Sequence, residues 1–257
     1  ILEAVRCCPS VRSFLNVTTD KVYENKEWPW GYRENEPLDG YDPYSNSKSC
    51  SELVTHSYKK SFFNGADQAL KTESGGTAVS TARAGNVIGG GDFANDRIVP
   101  DCVCSALKGE TILVRNPNST RPYQHVLEPL FAYLLIAQKQ YEDSALADYY
   151  NVGPDETDCI TTGELVDLFC RQWQQQTGES QSWENQQVDG PHEANFLKLD
   201  CSKIKSRLGW RPRWNVAQAV SKTVEWTIAY KDEKNMAEIM KRQIIDFIKT
   251  EQEDQHV

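Results

Sequence analysis

The chain has 257 residues, 39% of them hydrophobic and 25% charged, which is enough for a sizeable buried core in one large or two modest domains. Its formal net charge of −9 argues against nucleic acids and anionic membranes as partners, because both need concentrated lysine and arginine. No apolar run approaches the roughly 18 residues of a membrane-spanning helix. The first residues also lack the basic flank and long apolar region of a targeting signal. We therefore expect a cytoplasmic protein.

The first half of the chain alternates between predicted helices and strands. Apolar residues at helical spacing over 1–8 indicate a short helix, and residues 10–17 (SVRSFLNV) indicate a short buried strand. Residues 43–63 contain no glycine, and no proline after the first position, which predicts a long helix. A β-branched strand over 77–84 then enters the glycine-rich loop GNVIGGGD at 85–92.

The alternation continues in the second half. The predicted elements are an amphipathic helix over 98–110, a strand over 111–116, a helix reaching about residue 140, a strand over 149–153, a helix opened by the capping-box pattern TTGE at 161–164, a short strand over 195–200 and two or three final helices. Strands that alternate with helices predict an α/β fold, in which helices cover a parallel sheet.

The eight cysteines are dispersed, without a CxxC pair and without histidines at a zinc-ligand spacing. This distribution favours free, buried thiols over a metal site, and free thiols fit a reducing compartment. We therefore expect no bound metal.

Tyr44 and Lys48 lie four residues apart at the start of the predicted long helix, in the stretch YDPYSNSK at 41–48. This spacing puts both side chains on one helical face, with Cβ atoms about 5–6 Å apart. A neighbouring ammonium favours the phenolate of a tyrosine, whose unperturbed pKa is about 10, and so helps it to take a proton from a substrate hydroxyl. The same spacing occurs at Tyr230 and Lys234 in a polar stretch, so the spacing alone also fits a solvated helix surface.

Polar clusters follow three of the predicted strands: residues 18–21 (TTDK), residues 86–92 and the residues after 149–153. In an open α/β sheet, ligands bind beyond the carboxyl ends of the strands. The helix with the Tyr/Lys pair follows the first cluster, so a hydroxyl, a carboxylate, two ammonium groups and a phenol are predicted at one rim of the sheet. That combination suits acid–base catalysis, although the TTD segment alone would also suit a turn or a helix cap.

Seven motifs occur in one order along residues 1–230: TTDKVY, YSNSK, RAGNVIGGGD, DRIVPD, RPYQHVLEPL, YNVGP and LGWRPRW. Together they resemble the extended short-chain dehydrogenases/reductases of the nucleotide-sugar 4,6-dehydratase group, and within that group the CDP-glucose dehydratases. The resemblance implies a Rossmann-like α/β domain with a smaller α/β substrate-binding domain. It also selects Tyr44 over Tyr230 as the reactive tyrosine.

The resemblance implies NAD as the cofactor and assigns four residues to the first half of the reaction. Tyr44, as phenolate, would take the proton of the sugar 4-hydroxyl while C4 gives a hydride to NAD. Lys48 would lower the pKa of Tyr44 and hold the nicotinamide ribose. Thr19 would hydrogen-bond the 4-oxygen, and Thr18 would contact the cofactor.

In the second half of the implied reaction, the 4-ketone acidifies the C5 proton, Asp20 protonates the departing 6-hydroxyl, and the hydride returns to C6. Position 21 divides the resembling group, because dTDP-glucose dehydratases carry a glutamate there whereas this chain has Lys21, as CDP-glucose dehydratases do. Lys21 would either remove the C5 proton, for which its pKa must fall from about 10.4, or orient Asp20 or the substrate. The implied product is a CDP-4-keto-6-deoxy sugar, with NAD regenerated.

Substrate phosphates need placed cations in this acidic chain. By position in the matching motifs, Asn86, Arg97 and Arg121 would contact the pyrophosphate of CDP-glucose, and the planar guanidinium suits phosphate oxygens. For any single arginine, a surface ion pair is an equally good interpretation. The further candidates for substrate binding are Arg115, His192, Glu193 and Asn195.

The resemblance divides the chain into 1–92, belonging to the NAD-binding domain, and 93–257, mainly the nucleotide-sugar-binding domain, with 126–152 and 196–200 returning to the first. Members of the group pair through long helices, one of which carries the Tyr/Lys pair, so we expect a homodimer. They also begin with a strand and a glycine-rich turn that cradles the NAD pyrophosphate. No such turn precedes the Tyr/Lys helix here. We therefore expect it in a segment before Ile1, and no turnover by these residues alone.

Two other functions fit parts of the sequence. A nucleotide-sugar 4-epimerase or decarboxylase of the same fold would retain Tyr44 and Lys48, but it has no use for an acid and a base such as Asp20 and Lys21. A non-catalytic dinucleotide sensor would fit a chain without the glycine-rich turn. It would not explain why Thr19, Asp20, Tyr44 and Lys48 are retained together.

Overall fold

The computed structural model describes residues 1–63, 76–186 and 196–254. In this part of the chain the helices are α1 (Leu2–Arg6), α2 (Pro43–Tyr58), α3 (Ile98–Lys108), α4 (Leu127–Glu142), α5 (Thr162–Thr177), α6 (Ser202–Leu208), α7 (Val216–Lys231) and α8 (Met236–Asp254). The strands are β1 (Ser13–Thr19), β2 (Ala78–Ala84), β3 (Val87–Ile88), β4 (Ile112–Val114), β5 (Thr120–Pro122), β6 (Gln124–His125), β7 (Tyr149–Val152), β8 (Cys159–Thr161) and β9 (Trp183–Asn185). The predicted α/β class is confirmed.

Internal contacts divide the chain into two compact units. The first contains Ile1–Gly85, Pro129–Gly153 and Leu197–Arg211. The second contains Asn86–Glu128, Pro154–Phe196 and Pro212–Val257. From the sequence, we expected the chain to enter the second domain near residue 93. We also expected its last segment in the first domain to end near residue 200.

The first unit is built on a three-stranded parallel sheet in the order β1-β2-β7. All seven residues of the central β2 are buried, as expected for a strand that is covered on both faces. The strand predicted near β1 forms, but only Thr18 and Thr19 in it are buried, so the prediction of a buried strand was wrong in that respect. Among residues 196–200, Leu199 forms an isolated bridge with Tyr32 in place of the predicted strand.

The two faces of this sheet differ in chemistry. One face contributes Ala82, Ala84, Tyr150 and Val152 to a hydrophobic core that also contains Trp210. Successive strand residues point to opposite faces, so the residues between these four form the other face. Towards the carboxyl ends of the strands this second face is polar, with Arg83 and Asn151, and α2 packs against it.

The second unit contains three two-stranded sheets, of which β3-β6 and β4-β9 are parallel and β5-β8 is antiparallel. Residues of α3, α5 and α7 form its core, which includes Phe169 and Trp173. α5 begins with the predicted capping box, since Thr161 Oγ1 accepts from the N–H of Glu164 and the Glu164 carboxylate accepts from the N–H of Thr161.

Two buried titratable groups lie close in sequence in the second unit, His125 at the end of β6 and Glu128 in the first turn of α4. Glu128 Oε1 accepts from the backbone N–H groups of Arg213 and Trp214 at 3.0 and 2.7 Å. Burial raises the pKa of Glu128 to about 7. Burial, and then the charge of Lys222, lowers the pKa of His125 to about 4. Both groups are therefore neutral in the folded protein at mildly acidic pH, where both would be charged in the unfolded chain.

The eight cysteines are free thiols, as predicted, but the expectation that they are buried was wrong for most of them, since only Cys102 and Cys201 are buried. Across the described ranges, no group of three or more histidine, cysteine, aspartate or glutamate residues could hold a metal ion. None of the helices described above is both long and apolar enough to cross a membrane.

The pKa of Glu128 predicts a pH trend in stability. Because its folded pKa is raised, its favourable contribution is complete below the unfolded pKa of 4.5 and is lost as the pH rises towards 7. The free energy of unfolding of Glu128→Gln, relative to the wild type, should therefore rise by up to about 3 kcal/mol between pH 4.5 and 7.5. Denaturant unfolding at several pH values measures this difference.

His125→Gln is the matched variant for that experiment. The pKa of His125 is lowered in the folded protein, so its contribution is lost as the pH falls through 6.5 towards 4. The relative stability of His125→Gln should therefore change in the opposite direction over the same pH range. A difference from the wild type that stays constant with pH in both variants would show that the two groups are not held neutral.

Candidate active site

Three polar side chains form a row across the carboxyl ends of the parallel sheet. The strand register places Thr18 of β1 beside Arg83 of β2, and Arg83 beside Asn151 of β7. All three residues are buried. A guanidinium in the middle of a buried sheet face needs charged and hydrogen-bonding partners, because an unpaired buried charge is strongly unfavourable.

Glu52 of α2 is the charged partner of Arg83. Nε and Nη2 of Arg83 donate to Oε1 and Oε2 of Glu52 at 2.7 and 2.6 Å. Thr18 Oγ1 donates to the same Oε1 at 2.6 Å. Arg83 Nη1 donates to the Tyr23 hydroxyl at 2.8 Å, and this hydroxyl donates to Asn151 Oδ1 at 2.6 Å. The Arg83–Glu52 pair therefore links the sheet, α2 and the segment after β1.

The helix α2 packs on the sheet through polar side chains. Further along the interface, Asn16 of β1 donates to Thr55 Oγ1 at 2.8 Å and to Ser51 Oγ at 3.2 Å. Hydrogen bonds and an ion pair, rather than an apolar stripe, therefore hold this helix against the sheet. Its buried residues are Ser45, Ser49, Glu52 and Thr55.

The start of α2 confirms the sequence prediction of a helix that begins beside Tyr44. Asp42 is the N-cap and its Oδ1 accepts from the N–H of Ser45 at 3.0 Å, while Pro43 occupies the first helical turn. The preceding loop approaches closely at Gly40, where a Cβ atom would lie 2.3 Å from the carbonyl carbon of Ser45. Glycine is therefore required at this position.

The TTDK segment forms the end of β1 and a short 3₁₀ turn, Asp20–Val22. The Thr19 hydroxyl donates to Asp20 Oδ1 at 3.0 Å and accepts from the N–H of Lys21 at 3.4 Å. Asp20 is only 2% exposed, whereas Lys21 is exposed. The turn therefore holds a buried carboxylate and an accessible amine in adjacent positions.

A hydrogen bond and a charge interaction relate this turn to the first turns of α2. Ser49 Oγ, in the second turn of the helix, donates to the carbonyl of Val22 at 2.8 Å. Hydrogen bonds from Ser45 lower the pKa of the Asp42 carboxyl, and the charge of Lys21 lowers it further. The first unit therefore brings the TTDK turn and the start of the Tyr/Lys helix together.

The Tyr/Lys pair itself is accessible. Tyr44 is 56% exposed, and Lys48, one turn later, is half-buried. Another tyrosine, Tyr133 on α4, was not singled out in the sequence analysis. Burial, and then the charge of Asp20, raises the pKa of Tyr133 to about 12, so this tyrosine also lies near the turn. Tyr133 lies in an apolar helical stretch, so nothing in its sequence context marks it as part of a site.

The second Tyr/Lys spacing does not form a comparable pair. α7 ends at Lys231, so Lys234 lies beyond the helix that contains Tyr230. The ring of Tyr230 stacks on Trp226 with a centroid separation of 5.4 Å. Lys234 Nζ lies 2.9 Å from Asp232 Oδ2 in an exposed ion pair. The four-residue spacing of Tyr230 and Lys234 is therefore a feature of the solvated surface.

Two of the predicted substrate-binding residues form exposed ion pairs in the second unit. Arg97 Nη1 lies 3.2 Å from Asp92 Oδ2, and Arg115 pairs with Asp96. All four side chains are at least 38% exposed. Such pairs contribute little to stability, so a pyrophosphate that exchanges with these carboxylates would not disturb the fold.

The remaining substrate candidates differ in how far the structure describes them. Arg121 is buried on β5, and its Nη1 donates to the carbonyl of Thr120 at 2.9 Å. The carbonyl of Asn86 accepts from the N–H of Gln124 at 3.0 Å. Three candidates lie outside the described residues: His192, Glu193 and Asn195.

The first strand of a parallel sheet ends in a Thr-Asp-Lys turn and is followed by a helix with tyrosine and lysine four residues apart. This is the arrangement of an extended short-chain dehydrogenase/reductase. Residues 1–223 match the family model described as GDP-mannose 4,6 dehydratase. The chain belongs to this family.

Two curated relatives span most of the chain. It is 44% identical over 249 residues to a CDP-glucose 4,6-dehydratase of Salmonella typhimurium, covering 96% of this chain and 67% of that protein. It is 27% identical over 238 residues to a dTDP-glucose 4,6-dehydratase of Streptomyces antibioticus, covering 90% of this chain and 61% of that protein. The chain therefore spans roughly two thirds of the length of these relatives.

Solved structures share the fold. The dTDP-glucose 4,6-dehydratase of Bacillus anthracis in complex with NAD has a TM-score of 0.69 at 19% identity, covering 91% of this chain and 67% of the other. The UDP-glucose 4-epimerase of Thermus thermophilus in complex with NAD has a TM-score of 0.70 at 21% identity, covering 88% and 67%. Dehydratases and epimerases thus share this architecture, and the fold alone does not separate them.

The cap of α2 provides a test of how the Tyr/Lys helix is held. Asp42→Ala removes the acceptor for the N–H of Ser45 and should lower the free energy of unfolding by about 1 kcal/mol. Asp42→Asn keeps a capping oxygen and should cost clearly less. Denaturant unfolding of the two variants measures the difference, and equal losses would show that Asp42 does not act as a cap.

Proposed function

We propose that this chain carries the acid–base residues of an NAD-dependent CDP-glucose 4,6-dehydratase, which converts CDP-D-glucose to CDP-4-keto-6-deoxy-D-glucose. The observation that carries the proposal is the Thr19–Asp20–Lys21 turn beside the start of α2, where Tyr44 and Lys48 lie. The 44% identity to the Salmonella typhimurium CDP-glucose 4,6-dehydratase supports the choice of substrate. The NAD complexes of proteins with the same fold support the cofactor.

The first unit offers suitable groups to the nicotinamide end of NAD. Tyr44 is exposed at the rim, and Lys48 offers an ammonium one turn further along for the ribose hydroxyls. Thr18 donates its hydroxyl hydrogen to Glu52, so its contact with the cofactor would use the oxygen lone pairs or the backbone. When bound, NAD accepts a hydride from C4 of the sugar and returns it to C6.

Tyr44 acts in this proposal as the base that takes the proton of the 4-hydroxyl. Lys48 lies one turn further along the same helix. Thr19 donates its hydrogen to Asp20 in the structure. A proton on Asp20 would reverse this hydrogen bond and leave Thr19 free to donate to the sugar 4-oxygen.

Asp20 then serves as the acid for the departing 6-hydroxyl. A carboxyl that is only 2% exposed can deliver its proton to a bound substrate without exchanging it with bulk water. Lys21 is the adjacent residue and would either take the C5 proton or orient Asp20 and the sugar. A 4-epimerase needs neither group, which favours the dehydratase over that alternative.

The cations of the second unit would serve the pyrophosphate. Arg97 and Arg115 are exposed, and each pairs with a surface carboxylate, Asp92 and Asp96 respectively. Arg121 and Asn86 complete the described candidates. We also propose that the protein works in the cytoplasm, since its free thiols suit a reducing compartment.

We further propose that the protein is a homodimer that pairs through α2. Because the buried face of this helix is polar, its apolar residues point outward, with Leu53 and Val54 53% and 51% exposed. Phe62, just beyond the helix, is 54% exposed and lies under the guanidinium of Arg6 of α1 at 5.1 Å. An apolar surface of this kind suits a second copy of the same helix in a two-fold arrangement.

The function is tested by incubating the complete gene product with NAD and either CDP-glucose or dTDP-glucose, and measuring product mass. CDP-glucose should lose one water, at a higher kcat/KM than dTDP-glucose, and Tyr44→Phe should abolish the reaction. A product of unchanged mass would indicate an epimerase. Binding of NAD without any product would indicate a sensor.

Asp20→Asn separates the two halves of the reaction. Oxidation at C4 should still occur, whereas loss of the acid should lower kcat for dehydration by about 10²–10⁴-fold. The near-ultraviolet absorbance of the reduced nicotinamide should therefore accumulate during a single turnover. Tyr44→Phe is the control and should show no such signal. If Asp20→Asn dehydrates CDP-glucose at the wild-type rate, Asp20 is not the acid.

The dimer proposal has a matched pair of variants. Leu53→Glu places a charge on the outward face of α2 and should weaken dimerisation by at least about tenfold. Leu134→Glu makes the same change at a leucine of α4 that is 71% exposed, and should leave the dimer intact. Sedimentation of the complete gene product over a range of concentrations measures both, and equal behaviour of the two variants would contradict pairing through α2.

A further inference from the structure

The Arg83–Glu52 pair does not reach the surface, since the two side chains are 2% and 0% exposed. Glu52 nevertheless lies on the same helix as two of the residues proposed for catalysis. Glu52 follows Lys48 by four residues and Tyr44 by eight, so the three positions lie along one side of α2. A shift of Glu52 relative to the sheet would therefore move Tyr44 and Lys48 with it.

The same pair also holds both ends of the TTDK turn. Thr18, which precedes the turn, donates to Glu52 at 2.6 Å. Tyr23, which follows it, accepts from Arg83 at 2.8 Å and is held in turn by Asn151. Thr19, Asp20 and Lys21 lie between these two anchors, so both groups of proposed catalytic residues share one point of attachment.

This attachment is stronger than the other contacts of α2 described above. Asn16 with Thr55, and Ser49 with the Val22 carbonyl, are hydrogen bonds between neutral groups. Arg83 and Glu52 instead form two parallel charge-assisted hydrogen bonds in a buried place, where such bonds are strongest and most directional.

We propose that Glu52 and Arg83 are positioning residues for the dehydration, which hold Tyr44 and Lys48 in register with the Thr19–Asp20–Lys21 turn. The inference rests on the proposed function. Neither side chain is placed to touch the substrate, and both act through the elements that they join. A displacement of about 1 Å at reacting groups lowers a rate by about 10²-fold, so the effect on kcat should be large.

The experiment must distinguish an effect on the position of the catalytic residues, seen in kcat, from an effect on stability, seen in Tm. Glu52→Gln alone leaves the Arg83 guanidinium buried without its counter-charge and should lower both Tm and kcat. The double variant Glu52→Gln with Arg83→Gln removes both charges and leaves two amides that can hydrogen-bond. Its Tm should return towards the wild-type value, while kcat for CDP-glucose should stay about 10²-fold low and KM should change little.

Asn16→Ala is the matched control. It removes hydrogen bonds from the same helix–sheet interface, to Ser51 and Thr55, without touching the Arg83–Glu52 pair. This variant should lower Tm and leave kcat close to the wild-type value. If kcat instead falls in proportion to Tm in every variant, the pair has only a structural role.

Kinetics of the complete gene product decide the outcome. A double variant with wild-type kcat overturns the positioning role and leaves the proposed function intact. A wild type that does not dehydrate CDP-glucose overturns both. If the double variant does not fold, Tyr23→Phe is the alternative test, because it removes only the hydroxyl that joins Arg83 to the end of the turn. A lower kcat at unchanged Tm supports the proposal. An unchanged kcat overturns it.

Discussion

A buried arginine in the central strand of the sheet determines how the first unit is organised. Removing one partner of a buried ion pair typically costs about 3–5 kcal/mol, because the other charge is left without compensation. Arg83 therefore requires a carboxylate on the polar face of the sheet, and Glu52 of α2 provides it. The same two side chains hold Thr18 and Tyr23, so the segment that contains Asp20 and Lys21 is attached to the same place.

The position of Glu52 explains why α2 has its polar side inward. A helix that turns a glutamate and three hydroxyl residues towards the sheet must expose its apolar residues, including Leu53 and Val54. This exposed apolar face of α2 is suited to pack against the same face in a second copy of the chain. One electrostatic requirement therefore sets which side of α2 faces the sheet, and it leaves an apolar face for the homodimer proposed above.

Local signals in the sequence predicted the helix of the Tyr/Lys pair, the capping box at Thr161 and the α/β alternation, because caps and periodicity act over a few residues. The Arg83–Glu52 pair depends on residues far apart in sequence and was not predicted. A charged residue inside the buried strand AVSTARA was nevertheless a usable signal, since a fully buried arginine needs a partner. The loop GNVIGGGD was predicted to lie at a ligand-binding edge of the sheet, but a Cβ atom at Gly90 would lie 2.0 Å from Trp226 Cγ, so close packing also requires its glycine.

The most direct test of the account follows the hydrogen that the proposed reaction moves. CDP-glucose carrying deuterium at C4 should be incubated with the complete gene product and NAD, and the product examined by mass and NMR spectroscopy. The product should have lost one water and should carry deuterium at C6 of the 4-keto-6-deoxy sugar, since C4 gives up its hydride and C6 receives it. Deuterium that remains at C4 in a product of unchanged mass would contradict the account.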